Sequence, residues 1–112
     1  MSGRAEHLGD FELLVVSAVL RLHPEAYGVR IRDEIEDRTG RSCSVGAVYT
    51  TLRRLQQKGF VRSWEGEPTP ERGGRSKRLY AAEPEGVQAL ETTLEDYARM
   101  VRGIVPGFTN GS

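Results

Sequence analysis

The sequence predicts a mostly α chain with one small two-stranded β-wing, and three observations carry that reading. First, a serine-capped helical stretch from Ser44 to Gly59 runs straight into Phe60-Val61-Arg62-Ser63-Trp64, a Pro- and Gly-rich turn, and Leu79-Tyr80. That order is helix, strand, tip, strand. Second, a preceding helical pattern is joined to this one by the short Thr39-Gly40-Arg41-Ser42-Cys43 link, the layout of a helix-turn-helix. Third, Val87, Leu90, Leu94, Tyr97, Val101 and Ile104 are separated by alternating steps of three and four residues. Such spacing is an a/d heptad stripe. The expected organisation is a flexible arm at 1–9, a winged helix-turn-helix at 10–82, a C-terminal dimerisation helix at 83–105 and a disordered tail at 106–112.

Taken in order, Asp10 is placed to cap a first helix carrying Phe11, Leu13, Leu14, Val15, Val16, Ala18, Val19, Leu20 and Leu22. Apolar residues on so much of its circumference predict core on one side and, through Leu14, a subunit contact on another. His23-Pro24-Glu25 ends it, because proline disfavours helix in the residue before it. A second helix is expected from Ala26 to Arg38, with Tyr27, Val29 or Arg30, Ile31 and Ile35 inside and Asp33, Glu34, Glu36 and Asp37 wet. Thr39-Gly40 closes it.

Ser44 is an N-cap for the third helix, in which Val48, Leu52 and Leu55 share one face. Gly46, Ala47, Thr50, Thr51 and Arg54 are expected to face away from them. Small polar groups at the start of an exposed helix suit entry into a DNA major groove about 12 Å wide. Gly59 is the C′ residue, and the prolines and glycines from Gly66 to Gly74 predict a long irregular wing tip. Glu83-Pro84-Glu85 opens the last helix, with proline early and acids at the positive end of its dipole. Its stripe is longer than a small three-helix head can cover. Dimerisation through Val87, Leu90, Leu94, Tyr97, Val101 and Ile104 is therefore expected, the alternative being packing on its own domain.

Charge narrows the function. The 112 residues carry a formal net charge of zero, yet 38–78 holds ten basic residues against three acidic ones. A local excess of this sign, backed by acidic flanks, is the footprint of a polyanion-binding face. One cysteine, Cys43, and two histidines cannot supply a disulfide or a zinc cluster. No nucleophile and base are spaced for catalysis, so no enzyme activity and no cofactor are expected. No apolar run approaches the roughly 18 residues that span a bilayer, and Met1-Ser2-Gly3-Arg4 lacks a signal peptide's apolar core. The expected location is the cytoplasm.

Five motifs in order then resemble a known family: Leu13-Leu14; Tyr27-Gly28-Val29-Arg30-Ile31; Val48-Tyr49-Thr50-Thr51-Leu52-Arg53-Arg54-Leu55; Lys58-Gly59-Phe60-Val61; and Gly73-Gly74-Arg75-Ser76-Lys77-Arg78-Leu79-Tyr80. Together they resemble the PadR family of winged-helix transcriptional regulators, over about Asp10 to Ile104. Thr50 stands where proline is frequent in that family, and Ala82 where threonine is usual. The resemblance implies a homodimeric bacterial repressor whose third helix enters the major groove of double-stranded DNA. By the same resemblance the wing tracks the neighbouring backbone, Tyr49 matches the family tyrosine, and Arg75, Lys77 and Arg78 match the basic wing.

On these grounds Ser44, Gly46, Ala47, Tyr49, Thr50 and Thr51 are expected to touch DNA, with Arg53 and Arg54 as phosphate clamps and Arg72, Arg75, Lys77 and Arg78 supplying wing affinity. Tyr49 has a second reading as half-buried packing. Cys43 has two: a redox switch beside a helix N-terminus, or a small buried hydrophobe. Trp64 is expected to pack under the wing. A small-molecule effector is compatible with the family, but these residues specify none. The rival function is a winged-helix module that binds protein and has no specific DNA affinity.

Overall fold

The fold is given by a computed structural model that describes residues 6–68 and 76–107. The expected elements follow in the expected order: α1 (Asp10–Leu22), α2 (Gly28–Thr39), α3 (Val45–Gln57), β1 (Val61–Pro68), β2 (Ser76–Ala82) and α4 (Pro84–Val101). The three N-terminal helices enclose the core. Val15, Val16 and Val19 of α1, Ile31 and Ile35 of α2, and Val48, Leu52 and Leu55 of α3 meet there, all essentially without solvent contact. Phe60, Val61 and Tyr80 close it from the wing side. The wing is an antiparallel pair running from Val61↔Ala82 to Pro68↔Ser76. This is a winged helix-turn-helix.

Several boundaries differ from expectation. The arm is not free at its inner end: Leu8 is 1% exposed, and its N–H donates to Thr93 Oγ1 of α4 at 2.9 Å. An isolated leucine ahead of a helix has no periodic partner by which burial could be read. Gly9, not Asp10, is the N-cap of α1. Its N–H donates to Glu12 Oε1 at 2.8 Å, the return half of a capping box, while Asp10 pairs with Arg41. Helix α2 starts at Gly28 because Ala26 is extended and bridges Tyr80, adding one residue of third strand to the wing. Neither Val29 nor Arg30 lies inside. Both wing strands outrun the prediction: Gly66, Glu67 and Pro68 remain in β1 and Ser76 to Arg78 belong to β2. The remaining expected tip, the outer arm at 1–5 and the tail beyond 107 lie outside the described residues.

Helix α4 seats on the head through small residues. Gly86, Ala89, Thr93 and Ala98 are buried, and a β-carbon at Gly86 would overlap the Phe60 carbonyl. Of the larger residues, Leu90 packs partly buried beside the core, whereas Leu94 and Tyr97 are about half exposed and Met100 and Ile104 are at 75%. Ile104 falls beyond the helix, which ends at Val101, and its N–H closes a turn on the Val101 carbonyl.

One part-buried ion pair ties α1 to the end of α3. Lys58 Nζ donates to Glu12 Oε2 at 3.0 Å, and the Glu12 side chain is 8% exposed. Burial alone would push this carboxyl up. The Gly9 N–H and the Lys58 ammonium outweigh it and hold the carboxyl below its ordinary value of 4.5. A carboxyl depressed in the folded state adds stability that is complete above the unfolded value and fades as pH falls through the folded one. Glu12→Gln should therefore destabilise the fold by about 1–3 kcal/mol at neutral pH. In urea titrations the gap from wild type should shrink as pH drops below 4.5.

Candidate nucleic-acid interface

The start of α3 projects from the head. Ser44 Oγ accepts the Ala47 N–H at 3.0 Å, and helix geometry leaves the first-turn N–H groups of Val45 and Gly46 without intrahelical partners. Those groups, with the positive end of the dipole, favour a phosphate. Ser44, Gly46, Ala47, Thr50, Arg53 and Arg54 are all exposed, and a β-carbon at Gly46 would meet nothing nearer than Ser44 Oγ at 3.8 Å. The outer surface of the helix is thus small near its tip and cationic one turn later.

Thr51 is corrected. It is 5% exposed and packs with the core, because positions 48, 51 and 55 are spaced by three and four and so share the inward face. It is not available to DNA. Tyr49 is intermediate in both senses. Its hydroxyl end reaches over the backbone of Gly28, where a β-carbon would overlap Cζ and lie 2.6 Å from the hydroxyl oxygen, yet the residue is 38% exposed. Only glycine at the start of α2 allows this seat.

The wing joins α3 through side chains that periodicity did not single out. Arg78 Nη1 donates to Ser63 Oγ at 3.1 Å, and Ser63 Oγ donates to Gln56 Oε1 at 3.3 Å. Burial pushes the Tyr80 phenol up, nearby Tyr49 adds to the shift, and Arg78 and Arg53 oppose it. Tyr49, Arg53, Arg78 and Tyr80 therefore share one electrostatic neighbourhood, where α3 meets β2. Lys77 Nζ lies 4.7 Å from the centroid of the Tyr27 ring. Arg72 and Arg75 fall outside the described residues. Trp64 is partly covered, with the Arg62 guanidinium carbon 5.7 Å from its ring centroid.

Ion pairing separates the cations into two groups. Arg38 pairs with Glu34, Arg41 with Asp10, Lys58 with Glu12 and Arg62 with Glu83. The acidic flanks thus neutralise part of the central excess counted in the sequence. Arg53, Arg54, Lys77 and Arg78 form no ion pair among the described residues. All four are exposed, on α3 and the adjoining strand.

Cys43 does not have the setting of a reactive thiol. Burial and then Glu36 push it up, and Arg32 and Arg41 only partly offset them. Among the described residues no three His, Cys, Asp or Glu side chains cluster to hold a metal ion. Of the residues expected at a subunit contact, Val87, Leu90 and Val101 are partly buried and Leu94, Tyr97 and Ile104 exposed. Leu14 lines a shallow groove of about 170 Å3 between α1 and α2.

The tight seat of Tyr49 sets a stability test. Gly28→Ala should lower unfolding free energy by about 1–3 kcal/mol, the usual cost of overpacking. Adding Tyr49→Leu should recover part of that loss in the same denaturant titration.

Comparison with known proteins agrees with this geometry. The model of the PadR-like transcriptional regulator family matches residues 17–92, from within α1 to within α4. A PadR family transcription regulator from Clostridium difficile R20291 superposes with a TM-score of 0.68 at 22% identity, covering 82% of this chain and 91% of that one. A transcriptional regulator from Clostridium thermocellum gives 0.66 at 21% identity, over 80% and 81% of the two chains. PadR from Bacillus subtilis, solved in complex with operator DNA, gives 0.61 at 21% identity, over 75% of this chain and 47% of that one. These likenesses are of fold. No curated protein matches the chain by sequence. Among the described residues no helix is long and apolar enough to cross a membrane. With the family match extending over more than half its length, the chain belongs to the PadR-like family of transcriptional regulators.

Proposed function

We propose that this regulator is a sequence-specific repressor that binds a pseudo-palindromic operator as a homodimer and acts in the cytoplasm. The observation that carries the reading is a group of exposed cations, Arg53, Arg54, Lys77 and Arg78, that form no ion pair among the described residues and lie beside the start of α3. Cations without carboxylate partners gain most from phosphates, because no internal pair must be broken first. Ser44, Gly46, Ala47, Tyr49 and Thr50 present the groove-facing end, Arg53 and Arg54 clamp phosphates behind it, and the wing residues, Arg72 and Arg75 included, hold the flanking backbone. Operator DNA in the Bacillus subtilis PadR structure supports the same partner class.

The second copy is expected on α4. Leu94, Tyr97, Met100 and Ile104 leave an apolar surface that a two-fold partner carrying the same stripe would cover. Leu14 is assigned to the same contact. Pairing would set the two α3 helices about 34 Å apart, one turn of DNA, and occupancy of the site would exclude polymerase.

Fluorescence anisotropy against DNA from the gene's own upstream region and against scrambled DNA, each over a salt series, tests the DNA reading. Tighter binding to its own region is expected, with a slope of log affinity against log salt of about −5 to −7 for a dimer engaging six to eight phosphates. Indifference of binding to Arg53→Glu and Arg78→Glu, with a flat salt response, would instead favour a protein-binding module. Sedimentation equilibrium at micromolar concentration should show a dimer, and Leu94→Glu with Tyr97→Glu should return it to monomer.

A further inference from the structure

Beyond the phosphate-contacting residues, we propose that Tyr27 is a positioning residue for DNA binding: its ring holds the wing cation Lys77 in place for a backbone phosphate. The inference rests on the DNA-binding reading above. Its basis is local geometry that the five motifs did not reveal.

The strands of the wing do not pair evenly. Glu65 pairs with Arg78 and Pro68 with Ser76, so Gly66 and Glu67 together oppose the single residue Lys77. Two residues against one is a β-bulge, a device that re-aims the side chain at its position. Glycine relieves crowding there, since a β-carbon at Gly66 would lie 2.9 Å from Leu79 Cδ1 and 3.2 Å from the Lys77 carbonyl oxygen. Lys77, opposite the bulge, is met by Tyr27, 4.7 Å from ring centroid to Nζ. Tyr27 is itself held by its neighbours. The Ala26 carbonyl accepts the Tyr80 N–H at 2.9 Å, and Gly28 lies beneath Tyr49. One tripeptide therefore touches the wing strand, the wing cation and the tyrosine of α3.

The chemistry of the cleft supports a positioning role. Glu25 and Glu67 line the same cleft of about 320 Å3, yet Lys77 forms no ion pair among the described residues. Its ammonium rests on a ring face instead. That contact uses one side of a group with three N–H donors, leaving donors free for a phosphate. A lysine ordered before binding loses less side-chain freedom when it meets DNA.

The test is a double-mutant cycle of Tyr27→Leu and Lys77→Met, read as operator affinity by anisotropy, with Tyr27→Phe as the conservative variant and thermal unfolding as the folding control. Tyr27→Leu is expected to weaken binding about two- to tenfold in the wild-type background. It should have no further effect once Lys77 is methionine, and Tyr27→Phe should restore wild-type affinity. Equal losses with and without Lys77 would overturn the inference, as would failure of Tyr27→Phe to rescue, which would mean a direct contact by the hydroxyl. Tighter binding by Tyr27→Leu would also overturn it, since the ring would then be withholding the lysine. If wild type binds no DNA, the DNA-binding reading has failed; if wild type binds and the cycle is additive, only the role of Tyr27 has failed.

Discussion

The exposed side of α3 depends on the burial of its opposite face. Val48, Leu52 and Leu55 have no solvent contact, and Thr51 joins them at 5% exposure. Once that face is committed to the core, helix geometry leaves positions 46, 47, 50, 53 and 54 no direction but outward. The orientation of every exposed group on α3 is thus a by-product of apolar packing on the opposite side. The ends of the helix are held separately, by the Ser44 cap at one and by Lys58 on Glu12 at the other. A rigid presentation follows without any interaction among the presented residues themselves.

Electrostatics adds a second layer of selection. Net charge cannot distinguish a cation that neutralises a neighbour from one that is free to bind. Arg41 and Arg53 look alike in the sequence, but Arg41 reaches back thirty-one positions to Asp10 at 2.7 Å. Pairing of this kind consumes much of the central positive excess for internal structure. What remains is concentrated where α3 and the wing converge, which makes a local field stronger than a zero net charge suggests.

Much of this was legible in the chain. Helix order, the Ser44 cap, the Gly40 and Gly59 stops and the buried Val48, Leu52 and Leu55 all follow from periodicity and capping chemistry, which are local. Two differences share a cause, a partner distant in sequence. Leu8 is buried because Thr93 and the core receive it, and Ala26 is extended because Tyr80 pairs with it. Thr51 is different: the face set by Val48, Leu52 and Leu55 is wide enough to take in position 51 as well. The wing bulge also escaped notice, since glycine and proline signal irregularity without saying whether a strand ends or is only displaced.

The division of labour on α4 has an evolutionary side. Its fully buried residues are of the smallest kind, Gly86, Ala89, Thr93 and Ala98, with Leu90 partly buried beside the core, while Leu94, Tyr97 and Met100 stand exposed. Substitutions at Leu94 or Met100 therefore change the outer surface of the helix without disturbing its buried seat. Duplicated copies of such a gene can thus diverge on the outer surface of α4 while each retains an intact winged helix.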